Sequence, residues 1–173
     1  NTSHRVITPN VASLGFTMAD GCKTFRLTAE KLKREFAPGM VVDCWGYNGS
    51  APGPTIEVTE GDKVRIYVTN KLPEKTSVHW HGVLLPAGMD GVAGLNQPHI
   101  LPDETYKYEF AIKQKAATLM YHPHSDEMVQ MAMGMMGFFI IHPKKPERKI
   151  DRDFAIMLQE WRIEPGTSKP NPL

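Results

Sequence analysis

The chain has 173 residues, 20 basic and 19 acidic side chains and a formal net charge of +1. That length suits one domain plus some tail, and 41% apolar residues are enough for a packed core. With charge so nearly balanced, and no long basic run or acidic tail, a nucleic-acid partner is excluded; no apolar stretch reaches the roughly 20 residues of a membrane span.

In chain order, the pattern is predominantly β. No signal peptide is visible, and the chain begins at Asn1 without Met, as after removal of a leader or tag. Residues 29–36 are the one plausible helical piece, and a short one. Residues 41–47 form an apolar strand candidate. The turn Ala51-Pro52-Gly53-Pro54 and the turn Glu60-Gly61-Asp62 follow. Residues 63–69 then alternate polar and apolar, as a half-buried strand does. After the turn Leu101-Pro102-Asp103, residues 106–112 alternate in the same way. Residues 137–142 and 154–161 are further strand candidates. Residues 164–173, with three prolines, read as a linker and suggest a fragment of something longer. Many short strands with regular turns predict a sandwich or Greek-key barrel.

Four of the seven histidines sit in two short motifs, His79-Trp80-His81-Gly82 and His122-Pro123-His124-Ser125. On an extended segment the two imidazoles of a His-x-His point to one side, because strand side chains alternate faces. Two such strands side by side bring four imidazoles to one small volume. That is a metal site, and imidazole suits copper, zinc, iron or nickel. A multinuclear copper site is the first reading and a single zinc the second. Zinc catalysis would want a third His or carboxylate plus a general base, for which Asp126 and Glu127 are available, though nothing in the sequence fixes their direction. Trp80, between the two ligands of its motif, is expected to point into the core.

Taken together, Pro52-Gly53-Pro54-Thr55-Ile56-Glu57-Val58-Thr59-Glu60-Gly61-Asp62, His79-Trp80-His81-Gly82, Met89-Asp90-Gly91-Val92 and His122-Pro123-His124 resemble the first cupredoxin domain of multicopper oxidases, from about Asp43 to His142. That family includes laccases, ascorbate oxidase and bacterial copper-resistance oxidases. The resemblance implies an all-β, cupredoxin-like Greek-key β-sandwich, with residues 1–40 an N-terminal extension and first strands, 41–162 the cupredoxin domain and 163–173 a linker to a following domain. It implies reduction of O2 to water at a trinuclear copper cluster. His79 then binds type 2 copper, His81 and His122 one type 3 copper, and His124 the other. Asp90 matches a carboxylate near the type 2 copper that orients water and supplies protons. From the residues alone, Asp90-Gly91 reads as an ordinary turn pair.

The family's C-terminal His-x-x-His-x-His and His-Cys-His segments do not occur in this sequence. Cys22 and Cys44 precede both histidine motifs and have no neighbouring His, so no type 1 copper is expected; whether they form a disulfide or two thiols is left open by spacing. The chain is therefore expected to offer half a cluster, to be inactive alone, and to need a second cupredoxin domain from the same gene or another subunit. The resemblance implies that the assembled oxidase would take single electrons from a phenol, aromatic amine or metal ion, in a periplasmic or secreted setting. Two competing readings are a non-enzymatic copper-binding domain and a protein like copper nitrite reductase. Met128, Met131, Met133, Met135 and Met136 crowd one segment; thioethers suit Cu(I), but packing by flexible Met is the favoured reading. His4, His99 and His142 are read as structural.

Overall fold

Lys63–Asn70 (β5) shows how the pattern becomes structure: Val64, Ile66, Val68 and Asn70 are buried and their neighbours face outward. The computed structural model describes residues 5–146 and 148–172, so His4 lies outside the described residues. One sheet contains β1 (Thr17–Ala19), β2 (Cys22–Ala37), β3 (Met40–Tyr47), β5 and β7 (Thr105–Ala111). The other runs β4 (Ile56–Thr59), β9 (Gly137–His142), β8 (Ala117–His122), β6 (His79–His81). Strand β2 is long enough to pair with β5 over its first half and with β3 over its second. The β2–β5 and β4–β9 pairs are parallel and the others antiparallel.

The core lies between these sheets, as the expected all-β cupredoxin-like sandwich requires. Its largest fully buried side chains include Trp80, Tyr47, Tyr108, Tyr121, Phe25 and Phe139. Trp80 stands edge-on to Tyr108 at 5.2 Å and to Phe139 at 5.9 Å between ring centroids. It points inward, as its place between two outward histidines requires.

Two expected elements are corrected. Residues 29–36 are not helical; they are the second half of β2, in register with β3 from Ala29↔Tyr47 to Ala37↔Met40. Their Ala, Glu, Lys, Leu and Arg are good helix formers, but pairing with β3 outweighs that local preference. The inward positions also move from odd to even numbers at Glu30, which breaks the period-2 signal. Beyond that point Leu32 and Phe36 pack against a second, smaller core of Val42, Cys44 and Ala51. Residues 154–161 join neither sheet among the described residues; Phe154 bridges Ile7.

The tail expected to be a linker folds back along β3. Asp43 N–H donates to the Ser168 carbonyl at 2.8 Å, and Ile163 bridges Pro170. Cys22 and Cys44 are both free and buried, and burial pushes the Cys44 thiol up to about 11.

Glu57, on β4, ties the N-terminal segment to both β4 and β9. Its carboxylate accepts from the Val6 amide at 3.1 Å and the Ser13 hydroxyl at 2.8 Å, and pairs with His142 Nε2 at 2.8 Å. Burial alone would raise this carboxyl, but the bonds from His142, Val6 and Ser13 outweigh it and hold it below its ordinary 4.5. A depressed carboxyl stabilises the fold above its ordinary value, and that contribution is lost as pH falls through the folded-state value. Glu57→Gln is therefore expected to cost about 1.5–3 kcal/mol near pH 7, the range for bonds to a charged group. The deficit should shrink as both proteins are acidified below the ordinary glutamate range. Urea unfolding at the two pH values checks this; an equal deficit at both would contradict it.

Candidate metal centre

Strand β6 is three residues long and, among the described residues, lies at the edge of its sheet beside β8. With Trp80 fully buried, His79 and His81 must face outward. The register sets His79 opposite His122 and His81 opposite Met120, so the first His-x-His lies beside the end of the strand that carries the second. β8 ends at His122, Pro123 follows, and His124 comes from the turn before α1 (Glu127–Ala132). The Tyr108 hydroxyl accepts the Val78 amide at 3.0 Å and anchors the chain entering β6.

The four imidazoles converge on His79. Its ring centroid lies 5.4 Å from His81, 5.3 Å from His122 and 5.6 Å from His124. Among the described residues, the ligand atoms of His79, His81 and His122 all fall within 4.8 Å of one another; His124 completes the ring of imidazoles without joining that tight set. His81 Nδ1 faces His122 Nε2 at 3.2 Å. Two imidazole nitrogens about 2.0–2.1 Å from one tetrahedral ion would stand roughly 3.3 Å apart. The pair therefore fits a shared ion.

Neighbouring groups fix which nitrogens are free. His79 Nδ1 lies 2.6 Å from the Asp90 carbonyl oxygen, which can only accept, so Nδ1 carries the proton and Nε2 keeps its lone pair. His122 Nδ1 lies 2.9 Å from the Pro123 carbonyl by the same logic, leaving Nε2 for the site. Burial lowers the His122 imidazole, more than the Pro123 carbonyl and Glu127 raise it. Burial thus favours the neutral form, the one that ligates.

The sequence pointed to the Asp90 side chain, but its backbone makes the closer contact. The carboxylate Oδ1 stands 3.3 Å from His79 Nδ1, behind the ring. Gly91 makes this approach possible: with φ +81°, a Cβ there would lie 1.9 Å from the Val78 carbonyl oxygen. Pattern reading missed this role, which only the tertiary approach of the turn to β6 reveals. Glu127, whose direction the sequence left open, places its carboxylate 3.6 Å from His122 Nδ1 and 3.7 Å from His124 Nε2. Asp126 is the left-handed residue (φ 48°) that opens α1.

Gln130 also escaped sequence reading. Fully buried, it accepts from Thr76 Oγ1 at 2.7 Å and donates to Glu74 and to the Lys75 carbonyl, pinning α1 to the segment leading into β6. His99 bonds Ser125 at 3.1 Å, beside His124. In the Met-rich segment, Met135 and Met136 are buried, whereas Met128 is 78% exposed.

A family profile described as multicopper oxidase matches residues 28–146. Copper resistance protein A of Escherichia coli is 46% identical over 118 residues, covering 68% of this chain and 19% of that protein. The multicopper oxidase mco of Staphylococcus aureus is 37% identical over 147 residues, covering 82% of this chain and 32% of its own. A solved multicopper oxidase from Campylobacter jejuni, described as a metallo-oxidase, superposes with a TM-score of 0.71 at 36% identity, over 82% of this chain and 30% of that one. The chain thus spans between 19% and 32% of the length of these relatives.

Proposed function

The chain belongs to the multicopper oxidase family, and from that premise we propose that His79, His81, His122 and His124 are half of the ligand set of a trinuclear copper cluster. His79 takes the type 2 copper, His81 and His122 one type 3 copper, and His124 the other. A second cupredoxin domain supplies the remaining ligands. The observation that carries this is the convergence of four imidazoles on one sheet edge, with the lone pairs of His79 and His122 freed by backbone carbonyls. Bound copper would supply the one-electron redox chemistry through which O2 is reduced to water.

The chain's own residues then have distinct tasks. The Asp90 carbonyl and Gly91 hold the His79 ring in one tautomer and orientation. Burial favours the unprotonated form of His122. The Asp90 carboxylate, partly exposed beside His79, would orient water and relay protons toward oxygen being reduced. Buried Trp80 locks β6 against the core, so the two imidazoles beside it cannot swing inward. Cys22 and Cys44 lie outside the histidine cluster. The electron-entry type 1 site, and with it the binding of a phenol, aromatic amine or metal-ion reductant, is assigned to another domain. The two sheets, whose β6 and β8 carry or lead into all four histidines, form the copper-binding unit of a periplasmic or secreted oxidase. No helix among the described residues is long and apolar enough to cross a membrane.

Asp90→Asn tests the proton-delivery role cleanly, because the backbone carbonyl that holds His79 survives the change. Copper content should stay nearly intact while O2 reduction in the assembled oxidase slows by about 100-fold or more, the scale of general acid catalysis. Loss of copper in step with activity would make Asp90-Gly91 a structural turn only. Metal analysis alongside oxygen-uptake kinetics separates the two.

A further inference from the structure

Three of the four proposed copper ligands are placed by strand pairing, and the fourth is not. His79 and His81 lie in β6 and His122 ends β8, in a register that fixes them against one another. His124 follows outside any strand or helix. Among the described residues, Pro123, His124 and Ser125 make no backbone hydrogen bond to another segment. A side chain makes the tie instead: the hydroxyl of Ser125, a residue only 5% exposed, bonds His99 Nδ1 at 3.1 Å.

His99 is itself firmly held. Ile100, next in the chain, exchanges two backbone bonds with Thr76, at 3.0 and 2.8 Å. Thr76 lies on the segment that leads into β6, and its hydroxyl donates to buried Gln130 of α1 at 2.7 Å. On its other edge, His99 Nε2 lies against Gly94, where an added Cβ would stand 3.8 Å away. Gly94 belongs to the turn that follows Asp90-Gly91, and its amide donates to the Gln97 carbonyl at 2.8 Å. His99 thus spans from the loop that orients His79 to the turn that carries His124.

We infer that His99 is a positioning residue for the copper at His124: its bond to Ser125 sets where the His124 ring stands relative to His79, His81 and His122. A metal–ligand bond tolerates only about 0.2 Å of error. A turn tied down at β8 and resumed only at α1 does not hold a ring to that precision without a cross-link. Partners that fix a ligand from outside typically contribute about 10–100-fold to metal affinity. This rests on the assignment of His124 to a type 3 copper.

Titrating the copper-loaded, assembled oxidase with a copper chelator tests it, with copper per protein and the type 2 paramagnetic signal followed together. In His99→Ala, type 3 copper should leave at a chelator concentration about 10–100-fold lower, while the type 2 signal at His79 keeps its shape and its own release point. Ser125→Ala should match it, and the double variant should be no worse than either, because both remove one bond. His99→Asn, whose side-chain amide can take the place of Nδ1, should restore most of the retention. Unchanged retention in His99→Ala, additive losses in the double variant, no rescue by His99→Asn or equal loss of every copper would each overturn the inference. If His99→Ala does not fold, Ser125→Ala, which removes one hydroxyl, carries the same test. His124→Ala separates this inference from the reading beneath it. Type 3 copper retained in His124→Ala would sink the ligand assignment itself; copper lost there but kept in His99→Ala would sink only the role of His99.

Discussion

His79→Ala in the assembled oxidase is expected to remove the type 2 copper signal and to lower O2 reduction by more than about 100-fold. Losing only an outer partner of a metal ligand already costs about 10–100-fold, and here the ligand itself is lost. His79 is also the imidazole that the other three surround, with ring centroids between 5.3 and 5.6 Å away. Its removal opens the centre of the site. The fold should tolerate the change, because the ring is on the outer face of an edge strand and the core contact of β6 is made by Trp80. Electron paramagnetic resonance with oxygen uptake checks the prediction. A type 2 signal and turnover that both survive would show that another residue holds that copper.

The histidine cluster was legible because a His-x-His on a strand leaves one position, Trp80, to face the core. The register of β6 on β8 could not be read from sequence, yet it sets His79 opposite His122 and brings the two motifs together. The anchoring of His79 was half legible. Met89-Asp90-Gly91-Val92 drew notice to the carboxylate, whereas the 2.6 Å contact comes from the Asp90 carbonyl. That contact depends on a glycine lying against the Val78 backbone, which is a tertiary fact. Gln130 was invisible for the same reason, its three partners lying more than fifty positions away.

The strands at 63–69 and 106–112 were read correctly because each has one buried and one exposed face throughout. Residues 29–36 were misread because β2 changes its inward face at Glu30, in a stretch rich in helix formers. The strand expected at 154–161 has the right alternation and lacks the neighbours that would make it part of a sheet.

The second large effect expected is that copper stabilises the assembled protein far more than this chain alone. Metal held across an interface is linked to association, because ligands from both sides must be in place. The site in this chain is open on its outer side: His81 is exposed and the side chain of His124 is 38% exposed. Imidazoles with unfilled coordination positions bind weakly. At a free copper concentration about 100 times the dissociation constant of the complete site, stabilisation is about 2.7 kcal/mol. The chain alone, at the same copper concentration and with weaker binding, should gain less than about 1 kcal/mol. The decisive measurement is thermal unfolding of residues 1–173 and of the assembled protein, each with and without copper. A large rise in Tm for the assembly and a small one for the chain is the predicted result; equal rises in both would mean that the site is complete within these residues, contradicting the shared cluster.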